Sequence, residues 1–139
     1  MKKYTYEEIN VGLKESFKVT VTKEMLSSFK DITNDLNPMH NDDEFAKGKG
    51  YKGRVAYGML TASFMSTIAG MYLPGERSLI LSVEAEFPNP VYIGDEITIE
   101  GEVKEKNDTF QFIIIKVTVK NSENKKVLRG KMKVKVLSD

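Results

Sequence analysis

The stretch Tyr57–Leu73, YGMLTASFMSTIAGMYL, runs for 17 residues without a charged side chain. The whole chain is 29% Asp, Glu, Lys and Arg, so this gap is a strong local signal. Met59, Leu60, Phe64, Ile68, Met71 and Tyr72 supply apolar groups, and Ala62, Ser63, Ser66 and Ala69 are small. The pattern predicts a helix over 58–72 that is buried on most sides. Leu73-Pro74-Gly75-Glu76 stops it. A helix of this kind must be enclosed by the rest of the chain.

The C-terminal half supplies the enclosure. RSLILSVEAEF (77–87) reads as a strand broken by a change of face, followed by the proline-punctuated connection PNPVYIGDE (88–96). In ITIEGEV, Ile97, Ile99 and Val103 fall on one face. Lys106–Asp108 turns the chain into the β-branched strand 109–120, and Asn121–Lys126 turns it again. In LRGKMKVKV, Met132, Val134 and Val136 alternate with lysines, giving one buried and one wet face. An antiparallel sheet with one apolar face must cover it, and only the 58–72 helix is long enough to do so. The predicted class is α+β, an antiparallel sheet wrapped around a central helix, in one domain over 1–139. FIIIKV (112–117) is hydrophobic, and sheet edges invite pairing, so a homodimer or higher homo-oligomer is expected.

The N-terminal part leads to the polar segment. Phe17, Val19 and Val21 alternate as a short strand, and Thr22 is placed to cap a helix carrying Met25, Leu26, Phe29 and Ile32. That helix should end near Thr33. Asn34 tolerates a left-handed turn, and Pro38 pushes Asn37 out of the α region. The backbone therefore bends where Asp35 and the chain's only histidine, His40, sit. NDDEFA (41–46) reads as one short helical turn capped by Asp42, and KGKGYKG (47–53) as a loop. On this pattern alone the segment fits a polar loop as well as an acid–base pair.

Composition narrows the field. With 21 basic and 20 acidic side chains, the charge balance predicts neither a nucleic-acid nor a membrane partner. The start lacks the apolar run of a signal peptide, and no window is long and apolar enough for a span; a cytoplasmic protein is expected. There is no cysteine, hence no disulfide frame and no thiolate chemistry. One histidine excludes the usual zinc sets. Asp42, Asp43 and Glu44 lack the spacing of a calcium loop and suit a helix start instead. Neither a metal nor another cofactor is expected.

NDLNPMHNDDEFA followed by GRVAYGMLTAS resembles the MaoC-like, (R)-specific enoyl-CoA hydratases of the hot-dog fold. Asp35, Asn37, Pro38, His40 and Asp42 match the family's first block, and Gly58, Met59, Leu60 and Ser63 its second. FPNPVYIGDEITIEGEV is similar to the strand and turn that follow. The chain departs from the pattern at Asn34, where the family has glycine, and at Tyr57, where it has histidine. The resemblance implies a hot-dog dimer acting on acyl-CoA or acyl-carrier thioesters.

It also implies roles. Asp35 and His40 would hold and activate one water, imidazole being suited to proton transfer near neutrality. The amides at Gly58 would stabilise the thioester oxyanion, with Ser63 and Tyr57 helping to position substrate. Asn37 and Pro38 would shape the loop. Met59, Met65 and Met71 are candidates for an acyl slot, although core packing suits them better. Lys47, Lys49, Lys52 and Arg54 are candidates for a carrier's phosphates, or ordinary solvated cations. An acyl-CoA thioesterase and a non-enzymatic acyl-thioester-binding module on the same fold are the alternatives.

Overall fold

A computed structural model describes all 139 residues. In chain order it has β1 (Lys14–Thr20), α1 (Lys23–Thr33), α2 (Pro38–Asn41), α3 (Asp43–Gly48), α4 (Gly58–Thr67), β2 (Ser78–Glu86), β3 (Glu96–Asn107), β4 (Phe112–Asn121) and β5 (Lys126–Val136). The strands form one antiparallel sheet in the order β1-β3-β4-β5-β2. Helix α4 continues into a wider, π-helical turn, Ile68–Tyr72, and packs on the apolar face of the sheet. This is the hot-dog arrangement.

Local chemistry sets the elements. Thr22 caps α1, its Oγ1 accepting the Met25 N–H at 3.2 Å. Asn34 closes α1 in the left-handed region, φ 57°, where its N–H donates to the Lys30 carbonyl. Ile113, Ile115, Val117 and Val119 of β4 are buried, as are Ile97, Ile99 and Val103 of β3 and Met132, Val134 and Val136 of β5. The sheet's other face carries the lysines and glutamates between them.

Two glycines let the layers close. A Cβ on Gly101 would lie 2.8 Å from Ile68 Cγ2, and one on Gly130 would lie 2.4 Å from the Glu84 carbonyl oxygen and 3.0 Å from Met65 Cε. A side chain at either position would push α4 off the sheet or β2 off β5.

Three features depart from the sequence reading. The hydrophobic β4 is not at an edge: it lies between β3 and β5, and the edges are β1 and β2. The exposed apolar edge is instead β2, where Leu79, Leu81 and Val83 are about half exposed; Leu81 sits at a bulge in the pairing with β5. Second, α4 is not buried on most sides. Leu60, Thr61 and Met65 are buried, whereas Met59 is 65% exposed and Ser63 and Ser66 are open. Of the three methionines read mainly as core, only Met65 is core; Met59 in α4 and Met71 in the π-helical turn are exposed. Third, the bend before Asp42 contains a helical turn of its own, α2, so His40 stands on a helix rather than an open loop. Asn37 is its N-cap and Pro38 its first residue, a combination that suits a helix start.

Candidate active site

The polar segment between α1 and α3 is tied residue by residue. The Asp35 N–H donates to Thr33 Oγ1 at 3.2 Å, and the Asn37 N–H donates to Asp35 Oδ1 at 3.1 Å. Asn37 Oδ1 accepts the Met39 N–H at 2.9 Å. Asp42 caps α3 through the Phe45 N–H, and Asp43 Oδ1 accepts the Arg54 N–H at 2.8 Å. Asp42 and Asp43 thus serve the backbone, while Glu44 pairs with Lys47 at 3.7 Å.

Residues 54–56 run beside this segment and anchor it. The Val55 N–H donates to the Met39 carbonyl at 3.0 Å, and the Ala56 N–H to the Val91 carbonyl at 2.7 Å. Arg54 Nε donates to the His40 carbonyl at 2.7 Å. His40 Nδ1 lies 2.6 Å from the Val55 carbonyl oxygen. A carbonyl can only accept, so Nδ1 carries the hydrogen and Nε2 holds the lone pair of the neutral ring. The local fold therefore selects the tautomer with a free basic Nε2.

His40 and Gly58 line one cleft of about 440 Å³, together with Asn37, Val55, Thr61, Phe87 and neighbouring residues. Gly58 opens α4, and Tyr57 before it offers no side-chain cap. The Gly58 and Met59 amides have no acceptor, whereas the Leu60 N–H donates to the Tyr57 carbonyl at 3.0 Å; the free pair carries the positive end of the helix dipole. The Phe87 ring packs over Gly58, 3.3 Å from where a Cβ would be. The cleft joins an imidazole base, free amide donors and apolar walls, which suits proton transfer on a substrate whose carbonyl gathers negative charge.

The other expected residues lie elsewhere. Asp35 does not line the cleft; it is exposed and one hydrogen bond from Asn37, which does. Ser63 is outside the wall, its hydroxyl donating to the Leu60 carbonyl at 2.6 Å. Tyr57 is 2% exposed and also outside the wall. Its ring lies between Phe29, at 4.9 Å, and His40, at 4.2 Å between centroids. Its hydroxyl donates to the Asp35 carbonyl at 2.6 Å and accepts from Asn41 Nδ2 at 3.1 Å. A direct contact of Tyr57 with substrate is thereby replaced by contacts with the loop.

None of Lys47, Lys49, Lys52 and Arg54 lines the cleft. Lys47 pairs with Glu44, Lys49 lies over Phe45 and Lys52 over Tyr92. The sequence reading missed Val55, Thr61, Phe87 and Asn41. Val55 acts through its backbone, which leaves no mark in side-chain identity. Phe87 had one available signal, an aromatic residue directly before Pro-Asn-Pro.

A five-stranded hot-dog layer with an imidazole and a helix N-terminus in one cleft defines a class, and comparisons with known proteins identify the family within it. The model of the MaoC like domain matches residues 6–126. The (R)-specific enoyl-CoA hydratase of Rhodospirillum rubrum is 31% identical over 135 residues, covering 94% of this chain and 90% of that protein. The 3-hydroxybutyryl-CoA dehydratase of Methylorubrum extorquens is 35% identical over 100 residues, covering 72% of this chain but only 64% of that protein. Among solved structures, the unliganded R-hydratase PhaJ1 from Pseudomonas aeruginosa superposes with a TM-score of 0.91 at 29% identity, covering 97% of this chain and 86% of that one.

The chain belongs to the MaoC-like family and is an enzyme of its hydro-lyase class. No helix is long and apolar enough to cross a membrane.

Proposed function

We propose that the chain catalyses the reversible hydration of a trans-2-enoyl thioester, carried on CoA or an acyl carrier, to the (R)-3-hydroxyacyl thioester. The observation that carries this reading is the Nδ1 bond to the Val55 carbonyl, which leaves Nε2 as the lone-pair nitrogen of the neutral His40 ring, on a residue that lines the same cleft as Gly58. A water at His40 loses a proton to the Asp35–His40 pair as its oxygen bonds to C3, the exposed Asp35 carboxylate having to turn from the Asn37 N–H toward the cleft to reach it. Electron density moves through C2 to the thioester oxygen, which the Gly58 amide region stabilises. The proton then passes to C2, so that one water is added across the double bond. Dehydration is the same path reversed. Asp35 and His40 act as one coupled unit.

The test is the loss of enoyl absorbance with crotonyl-CoA, with chiral analysis of the product. Wild type should form the (R)-3-hydroxy product, and Asp35→Asn and His40→Ala should each lower kcat by about 10²-fold or more. Release of free CoA without a 3-hydroxy product would instead identify a thioesterase, and binding without turnover an acyl-thioester-binding module. Retained hydration in both variants would remove the site assignment.

A homodimer and a cytoplasmic location belong to the same reading. The dimer is supported by the half-exposed Leu79, Leu81 and Val83 on edge strand β2 and by the open side of α4 at Met59. Their burial against a second copy would remove an apolar edge from water.

A further inference from the structure

Tyr57 has no direct part in the chemistry described above, yet its side chain ties several parts of the site together. Its phenol donates to the Asp35 carbonyl oxygen at 2.6 Å, fixing the backbone that carries one half of the acid–base pair. The same oxygen accepts from Asn41 Nδ2, which also donates to the Asn37 carbonyl at 2.9 Å. The ring packs against the imidazole of His40 at 4.2 Å, tilted by 31°, and also contacts Phe29 at 4.9 Å between centroids.

One buried side chain thus touches both members of the pair through different atoms. The hydroxyl reaches Asp35, 22 residues away in sequence, and the ring face reaches His40. Because the phenol oxygen is satisfied as both donor and acceptor, its orientation is set from both sides.

We propose that Tyr57 is a positioning residue, latched by Asn41, that sets the separation and orientation of Asp35 relative to His40. The inference rests on the proposed hydration chemistry for its kinetic consequence but not for its structural one. Tyr57→Phe removes the hydroxyl and keeps the ring between Phe29 and His40. Asn41→Ala removes the second half of the latch at a partly exposed position.

In crotonyl-CoA hydration, Tyr57→Phe and Asn41→Ala should each lower kcat at least tenfold with KM within about twofold of wild type, because misplacing catalytic groups costs turnover rather than affinity. Tyr57→Phe combined with Asp35→Asn should cost little more than Asp35→Asn alone, since a residue acting through Asp35 has nothing left to position. Additive losses, or a Tyr57→Phe enzyme with wild-type kcat, would overturn the proposal.

A second readout needs no activity. His40 is the only histidine, so a long-range ¹H–¹⁵N spectrum shows a single imidazole. The Nδ1–H tautomer, set by the Val55 carbonyl, should persist in wild type and both variants, whereas the backbone amide signals of Leu36 and Asn37, beside the Asp35 carbonyl that the phenol holds, should shift or broaden in Tyr57→Phe and Asn41→Ala. Leu36 and Asn37 amide signals unchanged in both variants would sink the latch even if wild type proves to have no hydratase activity, which would itself count only against the proposed function.

Discussion

At the scale of the residue, Gly58 is where packing and chemistry make separable demands. Its backbone needs no left-handed conformation, and alanine is a better helix former by up to about 1 kcal/mol. An added Cβ would meet the Phe87 ring at 3.3 Å, which asks the half-exposed ring to shift by a few tenths of an ångström. Gly58→Ala should therefore stay within about 1 kcal/mol of wild-type stability. Its kcat should nevertheless fall tenfold or more, because the methyl group and the displaced ring crowd the approach to the helix amides. Thermal unfolding beside steady-state kinetics checks both halves, and a wild-type rate would remove the oxyanion role. Asp35 and His40 stood out in the sequence because a carboxylate and the only imidazole flank an Asn-Pro bend. Val55 did not, since it works through a carbonyl that any residue possesses; the family resemblance marks Tyr57 as a positioning residue, but its bonds to Asp35 and Asn41 were not legible, because they span residues far apart in the chain.

At the scale of the element, the glycine at the centre of β5 is the most exacting position. A Gly130 side chain would collide with the Glu84 carbonyl at 2.4 Å, a backbone atom that cannot rotate away. Gly130→Ala should cost about 1–3 kcal/mol or more, seen as a lowered urea midpoint. Thr22→Ala, which removes the cap of α1, should cost about 1 kcal/mol and leave activity intact; a neutral result would mean water replaces the cap fully. The strands and α4 were legible because hydrophobic period is a property of local sequence. The four-residue α2 was not, since one turn is too short for a period to register. Likewise, no local pattern shows that the far side of α4 lies uncovered.

At the scale of the whole molecule, the N-terminal turn is fastened to the β3–β4 hairpin. Tyr6 donates its hydroxyl to Asp108 Oδ1 at 2.6 Å, while Lys106 Nζ donates to the Tyr6 carbonyl and lies 4.2 Å from the ring centroid. Burial first, then the bond to Asp108, pushes the Tyr6 phenol up from 10.0 to about 12. The protonated phenol is thus favoured in the folded state. Its stabilising effect is complete below pH 10.0 and is lost as pH rises toward about 12. Tyr4, raised by its hydrogen bond to Glu15, acts in the same direction. The urea midpoint should fall across that alkaline window, and less steeply in Tyr6→Phe; equal slopes would mean the fastening titrates elsewhere. The proposed dimer makes a separate demand: Leu81→Lys on the edge of β2 should yield a monomer by sedimentation if that edge is paired. The sequence by itself determined which faces of β3 and β5 are buried, that one uncharged segment is the central helix, and that an acid and an imidazole share a bend. Those properties follow from side-chain identity and spacing within a few residues. Only the tertiary structure decided that β2 rather than β4 is an edge, that His40 Nδ1 meets the Val55 carbonyl, and that Tyr57 reaches Asp35. Strand order and such contacts depend on which distant segments pack together, and period-2 or period-3.6 patterns are the same for many possible orders.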